Sequence, residues 1–451
     1  MSNEYSYRDA RLSLWQSAAH EVAQNRQQPG GAVSANAATQ ASLEATLVTP
    51  AHIVGHTILE AGKPFEFLAN ELVKGFDFLK GLFKPLDNCA KAAALFLNAE
   101  LEGNQQNADL YAGQLKESVC DAVGWAECLT TYLGYKLLLE SPQYRPNEDV
   151  VVSLAANLKI AIIGDWGTGD NVAKNVLKQV AALQPDVLLH LGDVYYAGTQ
   201  TEAQENFLNI CSSVLPGVPL YSLCGNHDMY SGGSGYYWLL DQIGQKASYF
   251  CLQNDDWIFL AMDTGFHDNN PFTVATNMTE LVNANGWSEA DWHLNKIAQA
   301  GDRKVVLLSH HQLFSAFGSV GSDNGAAYAY NTNLYPVFSP ILPKVEWWFW
   351  GHEHTLALYP PYMGLSRGRC VGASAVPVFQ DQQSYAAASG LTTVEGLPMP
   401  AWDTDTVLGA TNNMYNNCFA IMTLTGASAT VEYYQVPLLQ SAQKYDAVDV
   451  V

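Results

Sequence analysis

Between residues 158 and 354 the sequence repeats one unit, a short apolar run that stops at a polar cluster. The run 158–163 leads into Gly164-Asp165-Trp166-Gly167, and the run 187–191 ends at Gly192-Asp193. Between them Val172, Val176, Val180 and Leu183 form a helical stripe that Asp170 can cap and Pro185 breaks. Strand, helix and strand in that order make a β-α-β unit. Runs at 218–224, 257–262, 304–308 and 346–350 continue the theme, and residues 288–291 open a helix ahead of the fourth run. Farther on, the runs 419–425 and 429–435 flank Gly426 and read as a β-hairpin.

The chain before this region has a different texture. Residues 24–50 are rich in Gln, Asn, Ala, Ser, Thr and Gly and read as loosely ordered. Phe65, Leu68, Leu72, Phe76, Leu79 and Phe83 then recur at helical spacing until Pro85. Phe67, Val73, Phe78 and Leu82 add apolar surface on the other side, the pattern of a helix buried between partners. A second stripe runs through Val119, Val123, Ala126, Leu129, Leu133 and Leu137. The expected organisation is therefore a helical N-terminal domain over 1–150, with a flexible linker at 141–149, followed by an α/β domain over 151–451. Those helices are candidates for a contact between copies of the chain or for covering an active site.

Charge narrows the partners. There are 44 Asp and Glu against 22 Lys and Arg, a formal net charge of −22, so a nucleic acid or an anionic membrane surface would be repelled. No apolar stretch is long enough to span a bilayer, and the first residues lack the apolar core of a secretory signal. The eight cysteines are scattered without a C-x-x-C pair, as expected of small buried hydrophobes in a reducing compartment. A cytoplasmic protein is the expectation.

The polar ends of the apolar runs carry the chemistry. In order they supply Asp165, Asp193 with Tyr196, Asn226 with His227 and Asp228, His310 with His311, and His352 with His354. One Gly-Asp after a strand is weak evidence, since turns favour both residues. Five strand ends in one α/β region, each ending in a carboxylate, amide, imidazole or phenol, point to a ligand site at the carboxyl edge of a sheet. Either His310 or His311 could be the ligand at the fourth position, and Tyr196 competes with a reading as a core aromatic.

These blocks (Asp165-Trp166-Gly167, Gly192-Asp193-Val194-Tyr195-Tyr196, Gly225-Asn226-His227-Asp228, His310 and Gly351-His352-Glu353-His354) resemble the calcineurin-like metallophosphoesterases. Within them the pattern is similar to the purple acid phosphatase branch, because Gly167 stands where most members have histidine and Tyr196 matches G-D-x-x-Y. The resemblance implies a four-layer α-β-β-α sandwich. It implies one metal on Asp165, Asp193, Tyr196 and His354, and a second on Asp193, Asn226, His310 and His352. The first would be Fe(III), given a phenolate donor, and the second Fe(II), Zn(II) or Mn(II). The implied activity is phosphomonoester hydrolysis of a small phosphorylated substrate by a metal-bound hydroxide. His227 would touch the phosphate or leaving group, Asp228 would orient ligands, and His311 would either support the ligands from behind or face substrate.

One departure stands out. The branch usually carries another histidine some nine or ten residues after the fourth block, and this chain has Ser319-Val320 there. His311 or His267 then substitutes, or the substrates have good leaving groups. A phosphodiesterase acting on cyclic nucleotides or phospholipid head groups uses the same core. A non-catalytic assembly protein with a vestigial site is the alternative of another class, although no ligand position here is lost.

Overall fold

A computed structural model describes residues 150–269, 280–284, 286–323, 325–438 and 440–451, together with positions 104, 107, 128, 131, 135 and 144–146. The expected N-terminal helices and the 1–150 boundary lie outside these residues, apart from isolated helical positions at Cys128, Thr131 and Tyr135. The architecture below belongs to the compact unit formed by Ser141–Gly169 and Ala173–Val451.

Two sheets form its centre. The strands of the first are β1 (Val151–Ser153), β5 (Phe250–Gln253), β6 (Trp257–Ala261), β7 (Lys304–Leu308), β8 (Val345–Trp350), β9 (Leu356–Tyr359) and β10 (Gly368–Val371). They lie in the order β1-β5-β6-β7-β8-β10-β9. The second sheet joins β2 (Asn157–Ile163), β3 (Val187–His190), β4 (Leu220–Ser222), β11 (Asn417–Thr425), β12 (Ser428–Val436) and β13 (Gln443–Val450) in the order β13-β12-β11-β2-β3-β4. The triplet β2-β3-β4 is parallel, as is the run β6-β7-β8-β10. Each of the six apolar runs read from sequence is a strand, and the hairpin around Gly426 is β11-β12.

Strand alternation explains the layering. On β2, Leu158, Ile160 and Ile162 join the core shared with Trp257, Phe259, Trp348 and Trp350, while Ala161 and Ile163 enter a second core. That second core is closed by helix α1 (Asn171–Ala182) through Ala173, Val176, Leu177 and Val180, with Phe207 beside them. Helix α4 (Glu289–Ala298) covers the first sheet through Trp292 and Ile297. Its N-cap is Ser288, whose hydroxyl accepts from the Asp291 N–H at 3.1 Å. Two shorter helices, α2 (Asn226–Tyr230) and α3 (Ser234–Ile243), follow β4. The α-β-β-α sandwich expected from the sequence is therefore the fold. Among the described residues no helix is long and apolar enough to cross a membrane. Among the described residues, Cys128, Cys211, Cys224, Cys251, Cys370 and Cys418 are buried.

A polar knot ties the sheets together. Buried Arg369 on β10 places Nε and Nη2 on the carboxylate of Asp449 on β13, at 2.7 and 2.8 Å. Asp449 also accepts from Trp347 Nε1 at 2.9 Å and Tyr433 OH at 2.6 Å. Arg369 Nη1 reaches the Tyr359 and Gly368 carbonyls at 2.6 and 2.7 Å, so its fork is well satisfied. Burial opposes charge on Asp449, but the hydrogen bonds and charge of Arg369 win and hold its pKa below the ordinary carboxylate value. A depressed carboxylate pKa gives stability that is complete above the unfolded-state pKa and is lost as pH falls through the folded one. Asp449→Ala, by stranding a buried guanidinium, is expected to cost about 3 kcal/mol in denaturant unfolding at neutral pH. The difference from the parent should shrink in acid, and equal stabilities at neutral pH would refute this account.

Candidate metal centre

The carboxyl ends of β2, β3, β7 and β8 deliver Asp165, Asp193, His310 and His352 to one place, and the turn after β4 adds Asn226. Three of these residues, Asp165 (φ 55°), Asp193 (φ 76°) and His352 (φ 64°), have left-handed backbone. Such conformations cost non-glycine residues about 1–3 kcal/mol each and persist only where the surroundings hold them. Here the holding contacts are visible. The Asp165 N–H donates to the Gly192 carbonyl at 3.1 Å, and the Asp165 side chain accepts from the His352 N–H at 2.8 Å. Asp228 accepts from the N–H groups of Gly225, Asp193 and Val194 at 2.8, 3.0 and 3.3 Å. Its carboxylate is thus occupied with backbone and clamps the Asp193 turn to the start of α2, the orienting role expected for it. Burial, and then the Asp193 charge, push Asp228 up to about 8. Bound cations would act in the opposite direction.

Around Asp193 the donors fall into two clusters. Asp165, Asp193 and His354 form the first, with ligand atoms within 4.8 Å of one another. The phenol at its centre is that of Tyr195, whose hydroxyl lies 3.2 Å from Asp165 Oδ1, 3.1 Å from Asp193 Oδ2 and 3.1 Å from His354 Nε2. This corrects the expectation of Tyr196. Val194 bridges to Gly167 like a strand residue, and the Tyr195 N–H donates to the Gly167 carbonyl at 3.0 Å. The hydroxyl contacts themselves place Tyr195 beside Asp193 in the site. Tyr196 contributes backbone contacts nearby. Its N–H donates to Glu202, and its carbonyl accepts from His227 Nδ1 at 2.6 Å.

The second cluster contains His310, His352 and Asn226. His310 Nδ1 donates to the Leu191 carbonyl at 2.8 Å, which turns Nε2 toward Asn226 Oδ1 (3.0 Å), His352 Nδ1 (3.2 Å) and Asp193 Oδ2 (3.5 Å). Asn226 Nδ2 donates to Tyr230 OH at 2.7 Å, so the amide oxygen faces the cluster, where His352 Nδ1 also approaches it at 2.9 Å. Burial and the neighbouring histidines push His352 well below its ordinary value, leaving a neutral imidazole with a lone pair. For His310 burial acts against charge, but the carboxylates of Asp193 and Asp165 override it and raise the pKa. Lone pairs converging on a place that draws positive charge are what a bound cation requires. The donor set fits metal in both clusters, and Asp193 belongs to each.

Of the two places expected for His311, its contacts fit support of the ligands from behind. A ring nitrogen lies within 4.8 Å of those of His310 and His352, yet both nitrogens have protein partners. Nδ1 is 3.0 Å from Thr264 Oγ1, and Nε2 is 2.9 Å from Asp268 Oδ2. Its ring instead packs 4.5 Å from that of His352, as a wedge. Thr264 and Asp268 were not singled out in the sequence, because the loop they occupy has no motif. His267 is exposed on that loop. His227 is buried, with its ring 4.3 Å from Tyr195 and 4.7 Å from Tyr230. His190 and His293 lie in the core, bonded to Ser222 at 3.0 Å and Glu289 at 3.1 Å.

Close approach of the loops demands glycine in two places. A Cβ on Gly225 would lie 2.1 Å from Asp193 Oδ1, and one on Gly192 (φ 107°) would lie 2.7 Å from His310 Nδ1. Gly225→Ala is expected to push Asp193 aside and weaken metal binding about ten-fold or more, as read by a competitive chelator titration. Unchanged affinity would refute the placement of Asp193.

The sequence model of the calcineurin-like phosphoesterase family matches residues 158–356. Among solved structures the chain is similar to a purple acid phosphatase from yellow lupin (Lupinus luteus) seeds, at 14% identity and TM-score 0.43, covering 69% of this chain and 55% of that one. It thus spans about half the length of the lupin protein. It is also similar to GAP50, the anchor in the inner membrane complex of Plasmodium (13%, TM-score 0.38, covering 64% and 88%). A third is vacuolar protein sorting 29 from Cryptosporidium parvum (11%, TM-score 0.30, covering 65% and 98%). No curated protein matches the chain. Over residues 158–356 the chain carries a calcineurin-like phosphoesterase domain.

Proposed function

We propose that this chain is a dinuclear metal-dependent phosphomonoesterase of the purple acid phosphatase type. The observation that carries the reading is the position of Asp193, whose Oδ2 lies 3.1 Å from the phenol of one donor cluster and 3.5 Å from an imidazole of the other. One shared carboxylate can hold two cations about 3.5–4 Å apart, the spacing for in-line displacement at phosphorus. In this reading Asp165, Asp193, Tyr195 and His354 hold one cation, and Asp193, Asn226, His310 and His352 hold the other. Two carboxylates with a phenolate form a hard set that suits Fe(III), whereas amide oxygen with two imidazoles suits Fe(II), Zn(II) or Mn(II). When bound, the pair supplies charge neutralisation at the phosphate and a nucleophile at neutral pH.

The chain's own residues do the rest. Asp228 holds the Asp193 turn, and Tyr230 keeps the Asn226 oxygen on the metal side. His227, oriented by its bond to the Tyr196 carbonyl and by the flanking rings, contacts the phosphate or leaving group. With both nitrogens of His311 engaged, the substrates are small phosphate esters with good leaving groups. The buried cysteines fit a cytoplasmic setting.

The first test compares p-nitrophenyl phosphate with its bis ester after loading with Fe, Zn or Mn. Faster turnover of the monoester is expected, and Asp193→Asn should lower kcat/KM by about two to three orders of magnitude. Turnover of the bis ester alone would replace the reading with a phosphodiesterase, and turnover of neither would end it. In the iron-loaded protein a phenolate-to-Fe(III) charge-transfer band is expected to vanish in Tyr195→Phe and survive in Tyr196→Phe. The reverse pattern would return the ligand to Tyr196.

A further inference from the structure

Tyr144 lies in the segment that leads into β1, far in sequence from the metal-binding loops. Its ring stacks on Tyr249 (5.7 Å, 12°) and meets Phe266 edge-on at 5.3 Å and Trp287 at 5.6 Å. Its hydroxyl donates to Oε2 of Glu289, the fully buried first residue of α4. The other oxygen of that carboxylate accepts from the Asp263 N–H at 2.8 Å and lies 3.1 Å from His293 Nε2. Asp263 begins the loop after β6. Its Oδ1 accepts from the N–H groups of Gly265 and Phe266 at 3.2 and 2.9 Å, and the Asp268 N–H donates to the Gly265 carbonyl at 2.9 Å. This loop forms the seat of His311, because Thr264 Oγ1 accepts the His311 N–H at 3.1 Å and Asp268 holds Nε2 at 2.9 Å. The His311 ring then lies 4.9 Å from His310 and 4.5 Å from His352.

We propose that Tyr144 is a positioning residue for the metal centre, acting through Glu289 and the loop 263–268 to set the His311 wedge against His310 and His352. The physical reason is that Glu289 is buried and its two oxygens face opposite ways, one toward the incoming segment and one toward the loop. Losing the phenolic donor strands one oxygen, and the carboxylate must turn to recover a partner. Turning it withdraws the acceptor from the Asp263 N–H and frees the loop that holds His311. Arg145 provides a control within the same segment. It pairs with Asp241 at 2.6 and 3.3 Å and lies 5.0 Å over the Tyr237 ring, without touching Glu289.

The inference rests on the proposed activity only for its kinetic consequence, so the test has a second readout. Imidazole resonances of full-length protein labelled with 15N-histidine, with His311 assigned by His311→Gln, report the wedge whether or not any substrate is turned over. Tyr144→Phe keeps the ring packing. It is expected to shift the His311 signals and to lower kcat for p-nitrophenyl phosphate about ten-fold, with KM changed less than about two-fold. Glu289→Gln, which keeps the shape but replaces one accepting oxygen with a donor, should move the same signals. Arg145→Ala should leave His311 and kcat as in the parent, even if it lowers the melting temperature. Unmoved His311 signals in both Tyr144→Phe and Glu289→Gln would overturn the proposal. So would an equal loss of kcat in Arg145→Ala. If the parent hydrolyses no phosphoester, the activity fails while the His311 signals still decide the positioning role.

Discussion

The site depends on holding the Asp193 carboxylate where two donor clusters meet. That placement is costly, because Asp193 has a left-handed backbone and is almost completely buried. Three backbone N–H groups bonded to Asp228 hold the turn against that cost, and the missing side chain of Gly225 leaves room for Oδ1. The Asp193 Oδ1 so admitted accepts the His227 N–H at 3.0 Å, which leaves Oδ2 turned toward both clusters. A carboxylate held this firmly, beside a second buried carboxylate and the neutral His352 imidazole, draws positive charge to the site.

The knot between the sheets has the opposite character, with its polar groups paired. Arg369 and Asp449 join the two sheets through a buried pair whose hydrogen bonds extend to Trp347, Tyr433, Tyr359 and Gly368. Such a pair adds little net stability over an apolar contact of similar shape, but it is expensive to break. One region of the interior is therefore complete in itself, and the other is arranged so that a cation completes it. That contrast locates function more sharply than burial alone.

Much of this was legible before any coordinates. The six apolar runs became strands because their alternation and their Gly, Asp and Asn terminators agree with one another, and the 172–183 stripe became a helix for the same reason. Strands β1, β5, β9, β10 and β13 were not read. They are short or have mixed burial, so pairing rather than local pattern makes them strands. The inter-sheet knot was likewise invisible, because Arg369 and Asp449 meet only after the sheets have packed.

By itself the sequence determined the fold class, the strand ends that carry donors, and the identity of Asp165, Asp193, Asn226, His310, His352 and His354 as the residues to gather. Residue type and spacing along a strand are local properties, and parallel strands bring their carboxyl ends together whatever the details of packing. Only the tertiary structure brought the Tyr195 hydroxyl against Asp165, Asp193 and His354. It alone seated His311 as a wedge, because Thr264 and Asp268 come from a loop more than forty residues away. Side-chain direction and long-range hydrogen bonding are set by packing, and no motif encodes them.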